Sequence, residues 1–370
     1  MKKNIMRFLA ILLAMALTVG LSACETPDAD TTGQSMAADA SSATGESSAG
    51  DPESFDGTDL VFDVEAGKGK FCIYFLNTPK DYVNESGITH AGDSVLLTSP
   101  DGKTMMIDLN NGANDAEIIA SLQRLGIEKL DYLVFSHPHV DHINGYRSLF
   151  RYVSVDQCYM NAEDYSQNST AYADLIKTLK AKNVPVTILW EGDTITFGDE
   201  ITVDIMNPPR DYDFTDDRGV GTASIANNGS IAMLFHYGEA TYFTGGDLYQ
   251  EGEDAFLERY PDFQADIAKL NHHGRSTSNS KAWVERIRAR LVCPQDNAIN
   301  SDVVWGRFRK NGAITVSATL DGASVVRCSP DGTYELQVQK LRSEENENSY
   351  GSLRDLGLDD KGYMTFTKKR

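Results

Sequence analysis

The chain has 370 residues, 41% of them hydrophobic, and a formal net charge of −20 at pH 7. An acidic surplus of this size repels polyanions and therefore disfavours a nucleic-acid-binding protein. It does not exclude a phosphorylated substrate, because a bound cation dominates the field in its own site. The sequence contains no internal repeat and no second long apolar span beyond the one near its N-terminus.

The N-terminal residues have the pattern of an export signal. Residues 1–7 carry three basic side chains, and the apolar stretch Phe8–Leu21 is too short to cross a bilayer comfortably. It ends in Leu21-Ser22-Ala23-Cys24, which resembles the lipobox of bacterial lipoproteins. The resemblance implies that residues 1–23 are a signal peptide and that Cys24 is lipidated, which anchors the protein at the extracytoplasmic face of a bacterial membrane. An ordinary signal peptide or an uncleaved anchor is the alternative.

Residues 24–58 form a predicted disordered linker. The segment is rich in Ser, Ala, Thr and Asp and has no aromatic side chain before Phe55, so it cannot bury enough apolar surface to offset its ordering entropy. The remaining residues, 59–370, are long for one domain, but a two-sheet α/β fold accommodates them. We therefore predict a single domain that the linker tethers to the membrane.

Four further cysteines match no zinc-knuckle spacing: Cys72, Cys158, Cys293 and Cys328. Most of them lie in strand-like apolar runs, so buried thiols are the default prediction. Export would permit disulfides, but the sequence does not choose among the possible pairings.

A β-β-α-β unit begins the domain. Its predicted elements are a strand, a hairpin, a helix and a further strand: Lys70–Asn77, residues 94–98 with 104–108, Ala116–Leu125, and Tyr132–Phe135. Asp108 ends the second hairpin strand, where its carboxylate is placed to orient a ligand histidine.

The segment directly after this unit places three imidazoles and a carboxylate within six residues: Ser136-His137-Pro138-His139-Val140-Asp141-His142. It leaves the C-terminal end of a strand, where α/β proteins gather binding groups, and leads into a predicted helix, Asp141–Phe150. Neutral imidazole and carboxylate are the usual ligands of zinc and similar ions. We therefore predict a metal site rather than a polar loop whose histidines only form hydrogen bonds.

Two later segments repeat this layout. Thr244-Gly245-Gly246-Asp247 and Asn271-His272-His273-Gly274 each follow a predicted strand. The glycine pair allows a tight turn that brings Asp247 close to another group. Alone, either segment is typical of a surface turn, but together with the first cluster they predict one shared site.

The C-terminal part reads as closing strands with Asp-Gly turns. Residues 342–361 are polar and acidic and are predicted as an exposed loop. Gly362–Thr367 is predicted as an edge strand or a frayed end.

The motif His137-x-His139-x-Asp141-His142, followed by the Asp247 and His272-His273-Gly274 segments, resembles the metallo-β-lactamase superfamily. Smaller matches are similar to the extracytoplasmic domain of the ComEC family of DNA-uptake channel proteins and its stand-alone secreted relatives: Gly92-Asp93-Ser94, Asp108, Asn228-Gly229-Ser230 and Leu270–Gly274. The resemblance covers roughly residues 70–340. It implies an α/β (α+β) fold, a four-layer αββα sandwich, with a site for two divalent ions, zinc or manganese, at one edge.

The resemblance implies one set of ligands for each ion. The first ion would be bound by His137 and His139, and Asp247 would bridge the two ions. The second ion would be bound by Asp141, His142 and one of His272 or His273, between which the sequence does not choose. The candidate catalytic residues are the acids and the histidine pair of this set: Asp141, Asp247, His272 and His273. The candidate supporting residues are Asp108, Asn228 and Lys269.

The chain departs from the family pattern around the first ion. A third histidine is expected shortly before the bridging aspartate, where this chain has Asn227, Asn228 and Ser230. His236 is the nearest histidine, but it lies at the far end of its predicted strand and is not expected to be a ligand.

Other departures concern the surrounding loops. The relatives' Asn-x-Tyr-Gly-His-Pro signature reads Asn297-Ala298-Ile299-Asn300 here, and Arg275 stands where the relatives have serine. A longer loop before residue 91 contains His90, which we predict to be solvated.

These observations predict a lipid-anchored extracytoplasmic hydrolase, a phosphodiesterase that uses a metal-activated hydroxide. The expected substrate is a phosphodiester or another small ester, and Lys269 and Arg275 are candidates for contact with a phosphoryl group. Nucleic acid is disfavoured by the net charge, the membrane is contacted through the N-terminal lipid, and no protein partner is evident. The alternatives are a β-lactam or lactone hydrolase, and a non-catalytic binding or assembly protein on the same fold.

Overall fold

The computed structural model describes residues 55–80, 91–215 and 222–368, which belong to one compact unit, Glu53–Arg370. The predicted signal peptide, Cys24 and His90 lie outside the described residues. Within the described ranges, no helix has the length and apolar character needed to cross a bilayer. The fold extends N-terminally of the predicted start at residue 59, because the Gly57 N–H donates to the Gln339 carbonyl (2.8 Å).

The secondary structure alternates strands and short helices. The helices are α1 (Thr58–Val61), α2 (Val64–Gly67), α3 (Asp115–Arg124), α4 (Val140–Ile143), α5 (Tyr146–Tyr152), α6 (Thr170–Ala181), α7 (Thr222–Asn228), α8 (Gln250–Arg259), α9 (Lys281–Ile287), α10 (Asp302–Lys310), α11 (Ala318–Asp321) and α12 (Glu344–Tyr350). The strands are β1 (Phe71–Phe75), β2 (Val95–Thr98), β3 (Thr104–Ile107), β4 (Lys129–Val134), β5 (Ser154–Met160), β6 (Val186–Ile188), β7 (Thr194–Phe197), β8 (Ile201–Asn207), β9 (Ala232–Tyr237), β10 (Ala240–Thr244), β11 (Ile267–Lys269), β12 (Leu291–Cys293), β13 (Ile314–Thr315), β14 (Ser324–Cys328), β15 (Thr333–Val338) and β16 (Tyr363–Thr367).

The strands of the described residues form two sheets. The first has the order β16-β15-β14-β1-β2-β3-β4-β5-β6, and the second has the order β13-β12-β11-β10-β9-β8-β7. In the first sheet β3, β4 and β5 are parallel neighbours, and in the second β10 to β13 are parallel neighbours. Because the carboxyl ends of parallel strands meet at the same edge of a sheet, the loops that follow them gather there.

The two sheets pack face to face with helices on both outer faces. Strand β1 is buried throughout, since Phe71, Ile73 and Phe75 face the other sheet whereas Cys72 and Tyr74 face the helices. Helices α3, α5 and α6 cover the outer face of the first sheet, and α8, α9 and α10 cover that of the second, with one large buried side chain from each: Leu122, Leu149 and Leu175, then Phe256, Trp283 and Phe308. The predicted four-layer αββα sandwich is confirmed. The four cysteines of the domain are buried free thiols, as the sequence predicted.

Two predicted elements differ in the structure. The predicted helix Asp141–Phe150 is divided into α4 and α5. Near the break the His142 carbonyl accepts from the Leu109 N–H (2.7 Å), and the Asn144 N–H donates to the Asn110 carbonyl (3.1 Å). The predicted loop over residues 342–361 contains α12. This helix buries none of its side chains and therefore lacks the apolar periodicity that reveals a helix; Ser343 caps it by accepting from the Asn346 N–H.

A buried ion pair links the segment after β15, in the first sheet, to β13 at the edge of the second sheet. Arg342, which follows β15, donates to both carboxylate oxygens of Asp321 (2.8 and 2.7 Å). The same guanidinium donates to the carbonyls of Thr315 on β13 (2.6 Å) and Gly351 (2.7 Å). Both side chains are at most 2% exposed, so water could not solvate either charge if its partner were removed.

Arg342→Met is expected to lower the free energy of unfolding by about 3–5 kcal/mol, because it leaves the Asp321 carboxylate buried without its counter-ion. Urea unfolding of the full chain measures the change. The matched control is Arg354→Met, which removes the partly exposed pair with Glu347 and is expected to cost less than about 1 kcal/mol. Equal effects of the two substitutions would contradict this account.

Candidate metal centre

Loops from both sheets converge at one edge of the sandwich. From the first sheet, β3 is followed by Asp108 and β4 by residues 136–142. From the second sheet, β10 is followed by Gly245–Asp247, β11 by the 3₁₀ turn Asn271–Gly274, and β12 by Gln295. The parallel arrangement described above is the reason that segments far apart in the chain meet here.

Asp247 lies at the centre of this edge and is 2% exposed. Its Oδ2 atom faces the Nε2 atoms of four histidines, at 3.2 Å for His142 and His273 and at 3.9 Å for His137 and His272. One carboxylate oxygen is thus the common neighbour of both predicted histidine motifs.

The backbone and a buried lysine place Asp247 in this position. Gly246 has φ 55°, and a Cβ atom there would lie 2.7 Å from the Ser230 side chain. The tight turn before Asp247 therefore requires glycine, as the sequence predicted. The Ser230 hydroxyl accepts from the Asp247 N–H (3.1 Å). The Lys269 ammonium lies 3.6 Å from Asp247 Oδ1 and also pairs with Asp93. The lysine therefore offsets part of the carboxylate charge and leaves Oδ2 facing the histidines.

Carboxylates hold the far nitrogens of the two central histidines. His142 Nδ1 lies 2.8 Å from Asp108 Oδ2. His273 Nδ1 lies 2.9 Å from Asp93 Oδ1 and 3.0 Å from the Gln295 carbonyl. These contacts orient both rings with Nε2 toward Asp247, which is how proteins orient histidine ligands.

The other pair of the first motif lies beside these rings. His137 Nε2 and His139 Nδ1 are 3.0 Å apart. Asn227, which is 2% exposed, lies against the His139 ring and the Tyr249 hydroxyl, and its buried Oδ1 atom makes no hydrogen bond within the described residues. Asn227, one of the residues that stand where the resemblance leads us to expect a third histidine, is thus a neighbour of His139.

Helix α8 holds the loop that carries the second motif. The buried Glu253 carboxylate accepts from the Asn271 amide (2.9 Å) and from the backbone N–H groups of Asn279 (2.6 Å) and Ser280 (2.9 Å). Both histidines of this loop adopt left-handed backbone conformations, with φ 48° and 53°, which cost on the order of 1–3 kcal/mol each outside glycine. Surrounding contacts such as those of Glu253 keep the loop in this shape.

Burial and neighbouring charges separate the histidines into two electrostatic groups. Burial lowers the pKa of His137, His139 and His272, the last to about 3, so these imidazoles are neutral at pH 7. Burial acts in the same direction on His142 and His273, but the carboxylates around them outweigh it and hold the pKa of each well above its usual value. Any cation that binds here displaces the protons of this second group.

The site fits divalent metal ions. Asp93, His142, Asp247 and His273 are buried, and each offers one nitrogen or oxygen within 4.8 Å of the others. Within the described residues His273 Nε2 is buried and makes no hydrogen bond, as expected of an atom that faces a cation or its water. Imidazole nitrogens and carboxylate oxygens are a donor set for zinc and for manganese. Because Lys269 and His273 already occupy the Asp93 carboxylate, we place Asp93 among the supporting residues.

The structure brings the predicted ligands to this one edge: His137, His139, Asp141, His142, Asp247, His272 and His273. Of the predicted supporting residues, Asp108 and Lys269 contact a ligand, whereas the Asn228 side chain accepts from the Tyr249 N–H (3.0 Å). His236 lies outside the site on β9 and contacts Asp204 (3.1 Å).

Sequence reasoning assigned no role to several residues that shape the site: Asp93, Asn227, Glu253 and Gln295. Gly92-Asp93-Ser94 was noticed as part of the family resemblance, and that match was the available signal for Asp93. Nothing in the local pattern of α8 distinguishes Glu253 from the exposed acids of the same helix.

A family model described as the metallo-β-lactamase superfamily matches residues 88–295, more than half of the chain. The chain belongs to the metallo-β-lactamase superfamily. This confirms the family and the fold that the motifs predicted.

This superfamily member is also similar to two curated competence proteins. It is 21% identical over 175 residues to ComE operon protein 3 of Bacillus subtilis (strain 168), covering 47% of this chain and 21% of that protein. It is 22% identical over 269 residues to competence protein ComA of Neisseria gonorrhoeae, covering 70% of this chain and 34% of that protein. The chain therefore spans well under half the length of either relative.

Among solved structures, the chain is similar to CmlA, a diiron β-hydroxylase from Streptomyces venezuelae. The identity is 12% and the TM-score 0.44, with coverage of 70% of this chain and 54% of that chain.

Asp108→Asn is expected to weaken zinc binding by about 10–100-fold, because an amide orients the His142 ring less strongly than a carboxylate does. Asparagine tolerates the left-handed backbone of this position (φ 58°), so the fold is expected to persist. Isothermal titration of the metal-free chain with zinc measures the effect.

The control for this prediction is Asp131→Asn. Asp131 belongs to the same sheet as Asp108 but lies near the start of β4, away from the site, and its carboxylate pairs with Lys103. It is expected to leave zinc affinity unchanged. Wild-type affinity in the Asp108 variant would show that Asp108 does not orient a ligand.

Proposed function

We propose that the protein is a metal-dependent hydrolase that cleaves phosphodiesters at the extracytoplasmic face of a membrane, to which a lipid on Cys24 anchors it. The convergence of four imidazole nitrogens on Asp247 Oδ2 carries the hydrolase proposal. The lipobox-like Leu21–Cys24 segment supports the anchor.

Two divalent ions held at this edge would supply Lewis-acid activation of water and would stabilise negative charge on a phosphoryl group. The protein's own residues hold and orient the reacting groups. Two carboxylates face the centre, the buried Asp247 and the partly buried Asp141, at 3.2 and 3.4 Å from His273 Nε2. Lys269 offsets part of the negative charge of Asp247, whose Oδ1 lies 3.6 Å from the ammonium.

Water is the nucleophile in this proposal. Ser136 is the hydroxyl nearest to the first histidine motif, but it is 1% exposed and donates to Asp108 Oδ2 (2.7 Å). A serine whose hydroxyl is buried and committed to a carboxylate is not placed to attack a substrate.

A cationic side chain near the second histidine motif supports an anionic substrate. Arg275 directly follows the His272-His273-Gly274 turn, and its side chain is 24% exposed, with one guanidinium nitrogen 3.9 Å from Asp296. Burial lowers the pKa of His272 most, and the charges of His273 and Arg275 lower it further. A phosphodiester monoanion would meet this charge, whereas a neutral ester would gain nothing from it.

The first test is metal content and hydrolysis of bis-p-nitrophenyl phosphate by the full chain. We expect about two equivalents of metal and turnover, with turnover lost in Asp141→Ala and in Asp247→Ala, because each removes a carboxylate from the centre. The control is Asp204→Ala, an exposed acid that contacts His236.

Two outcomes would contradict the proposal in different ways. Stoichiometric metal without hydrolysis of any phosphodiester would reject the substrate class and leave lactones and β-lactams to be examined. A folded chain that binds no metal under replete conditions would reject the hydrolase and leave a binding or assembly protein.

Arg275→Ala is expected to lower kcat/KM for bis-p-nitrophenyl phosphate by about tenfold, the loss of one charge-assisted hydrogen bond, mainly through KM. Hydrolysis of the neutral p-nitrophenyl acetate, if detectable, is expected to change little. Arg275→Lys should retain part of the effect, and Arg286→Ala, an exposed arginine on α9, should behave as wild type. An equal loss on both substrates would show that Arg275 acts on the fold and not on substrate charge.

A further inference from the structure

The two adjacent histidines of the second motif are built alike. His272 Nδ1 lies 2.5 Å from the Thr277 hydroxyl, and His273 Nδ1 lies 2.9 Å from Asp93. In both rings the remaining nitrogen, Nε2, faces Asp247 Oδ2. A histidine whose one ring nitrogen is held and whose other nitrogen faces a buried carboxylate has the arrangement of a metal ligand.

The two rings nevertheless have different neighbours. His273 Nε2 lies 3.4 Å from Asp141, and its ring centroid lies 5.2 Å from that of His142. Both neighbours belong to the second predicted ion position. His273 therefore lies on that side of Asp247.

His272 packs against a different side chain. Its ring contacts Tyr249 (centroids 4.8 Å apart), and the Tyr249 hydroxyl contacts Asn227, which lies against the His139 ring. His272 Nε2 is as far from Asp247 Oδ2 as His137 Nε2 is, 3.9 Å in both cases. Through Tyr249 and Asn227 these contacts lead toward His139, a ligand of the first predicted ion position.

The backbone explains how two histidines that are neighbours in sequence have such different surroundings. His272 and His273 have φ 48° and 53°, a left-handed turn closed by Gly274 (φ 75°). Successive side chains of a helical turn leave the backbone in directions about 100° apart. The two imidazoles therefore approach Asp247 from separate directions.

We propose that the two histidines divide between the metal positions. His272 completes the first position with His137 and His139, and His273 completes the second with Asp141 and His142. This inference rests on the metal centre proposed above, but not on its substrate. The third imidazole of the first ion then comes from a residue after the bridging aspartate in the sequence, whereas the family pattern has it before.

Asn227 is the competing ligand, because its buried Oδ1 atom has no hydrogen-bond partner in the described part of the chain and lies beside His139. We favour His272 because imidazole suits zinc better than a neutral amide oxygen does. The Nε2 atom of His272 also faces the bridging oxygen, as those of His137, His142 and His273 do.

The test counts zinc bound by the full chain and by single and double variants, using elemental analysis after gel filtration and calorimetric titration. Asparagine replaces each histidine, because it tolerates left-handed backbone and lacks the reach of Nε2. Wild type is expected to bind two ions, and His272→Asn and His273→Asn one each. The lost ion should bind more than about 100-fold more weakly, exceeding the loss expected for a merely supporting residue.

Double variants identify which ion is lost. His139→Asn removes a ligand of the first position only, and Asp141→Asn removes one of the second only. If the proposal holds, His139→Asn with His272→Asn still binds one ion, and Asp141→Asn with His272→Asn binds none. The reverse pattern would assign His272 to the second position and overturn the proposal, as would two ions in His272→Asn.

Asn227→Ala separates the competing ligand. Retention of two ions with wild-type affinity supports His272, whereas loss of the ion that His139→Asn also loses, with His272→Asn unaffected, overturns the proposal. Far-UV circular dichroism checks that each variant is folded.

A zinc-loaded crystal of the unaltered chain gives an answer that depends on no substitution. The anomalous signal should show one zinc within about 2.1 Å of nitrogens from both His139 and His272. A zinc that contacts His139 but not His272 would overturn the proposal, even if hydrolysis of phosphodiesters is confirmed. Two bound ions without hydrolysis would reject the proposed substrate and leave this assignment intact.

Discussion

Three carboxylates buried at one edge of the sandwich, with a partly buried fourth beside them, impose the constraint on which the site depends: Asp93, Asp108 and Asp247, with Asp141. Buried carboxylates are tolerated only when cations or hydrogen-bond donors compensate them. Lys269 supplies one fixed positive charge, and the carboxylates hold the pKa of His142 and His273 well above its usual value, so that these rings carry protons when no metal is bound. Divalent ions would take the place of those protons, which ties metal affinity to the same charge balance.

Both sheets contribute residues that satisfy this constraint. The first sheet delivers Asp108 and the first histidine motif, and the second delivers Asp247, Lys269 and the histidine pair. Lys269 and Asp93 come from different sheets and lie 176 positions apart in the chain, yet they pair directly. The packing of the two sheets therefore sets the geometry of the centre. Glu253 holds the loop that carries the two left-handed histidines in place beside it.

Much of the site was predictable because its ligands are concentrated. His137, His139, Asp141 and His142 lie within one short loop after a strand, and imidazole and carboxylate have few uses in such density other than metal binding. Asp93 and Gln295 were given no role because their contacts are with residues distant in the chain, His273 for both and Lys269 for Asp93. The division of the predicted helix into α4 and α5 also escaped prediction, because Leu109, from another part of the chain, bonds to the backbone near the break.

The fold class, the candidate ligands and the position of each candidate motif after a strand could be predicted from the sequence. These properties are carried by residue type and by apolar periodicity, which act over a few neighbouring residues. Tertiary contacts were needed to establish which nitrogen of each ring faces Asp247, that Asn227 and not Asn228 lies against His139, and that His272 packs against Tyr249 whereas His273 lies beside Asp141. Those outcomes depend on strand order, on the packing of one sheet against the other and on two left-handed backbone torsions, none of which is visible from neighbours in sequence.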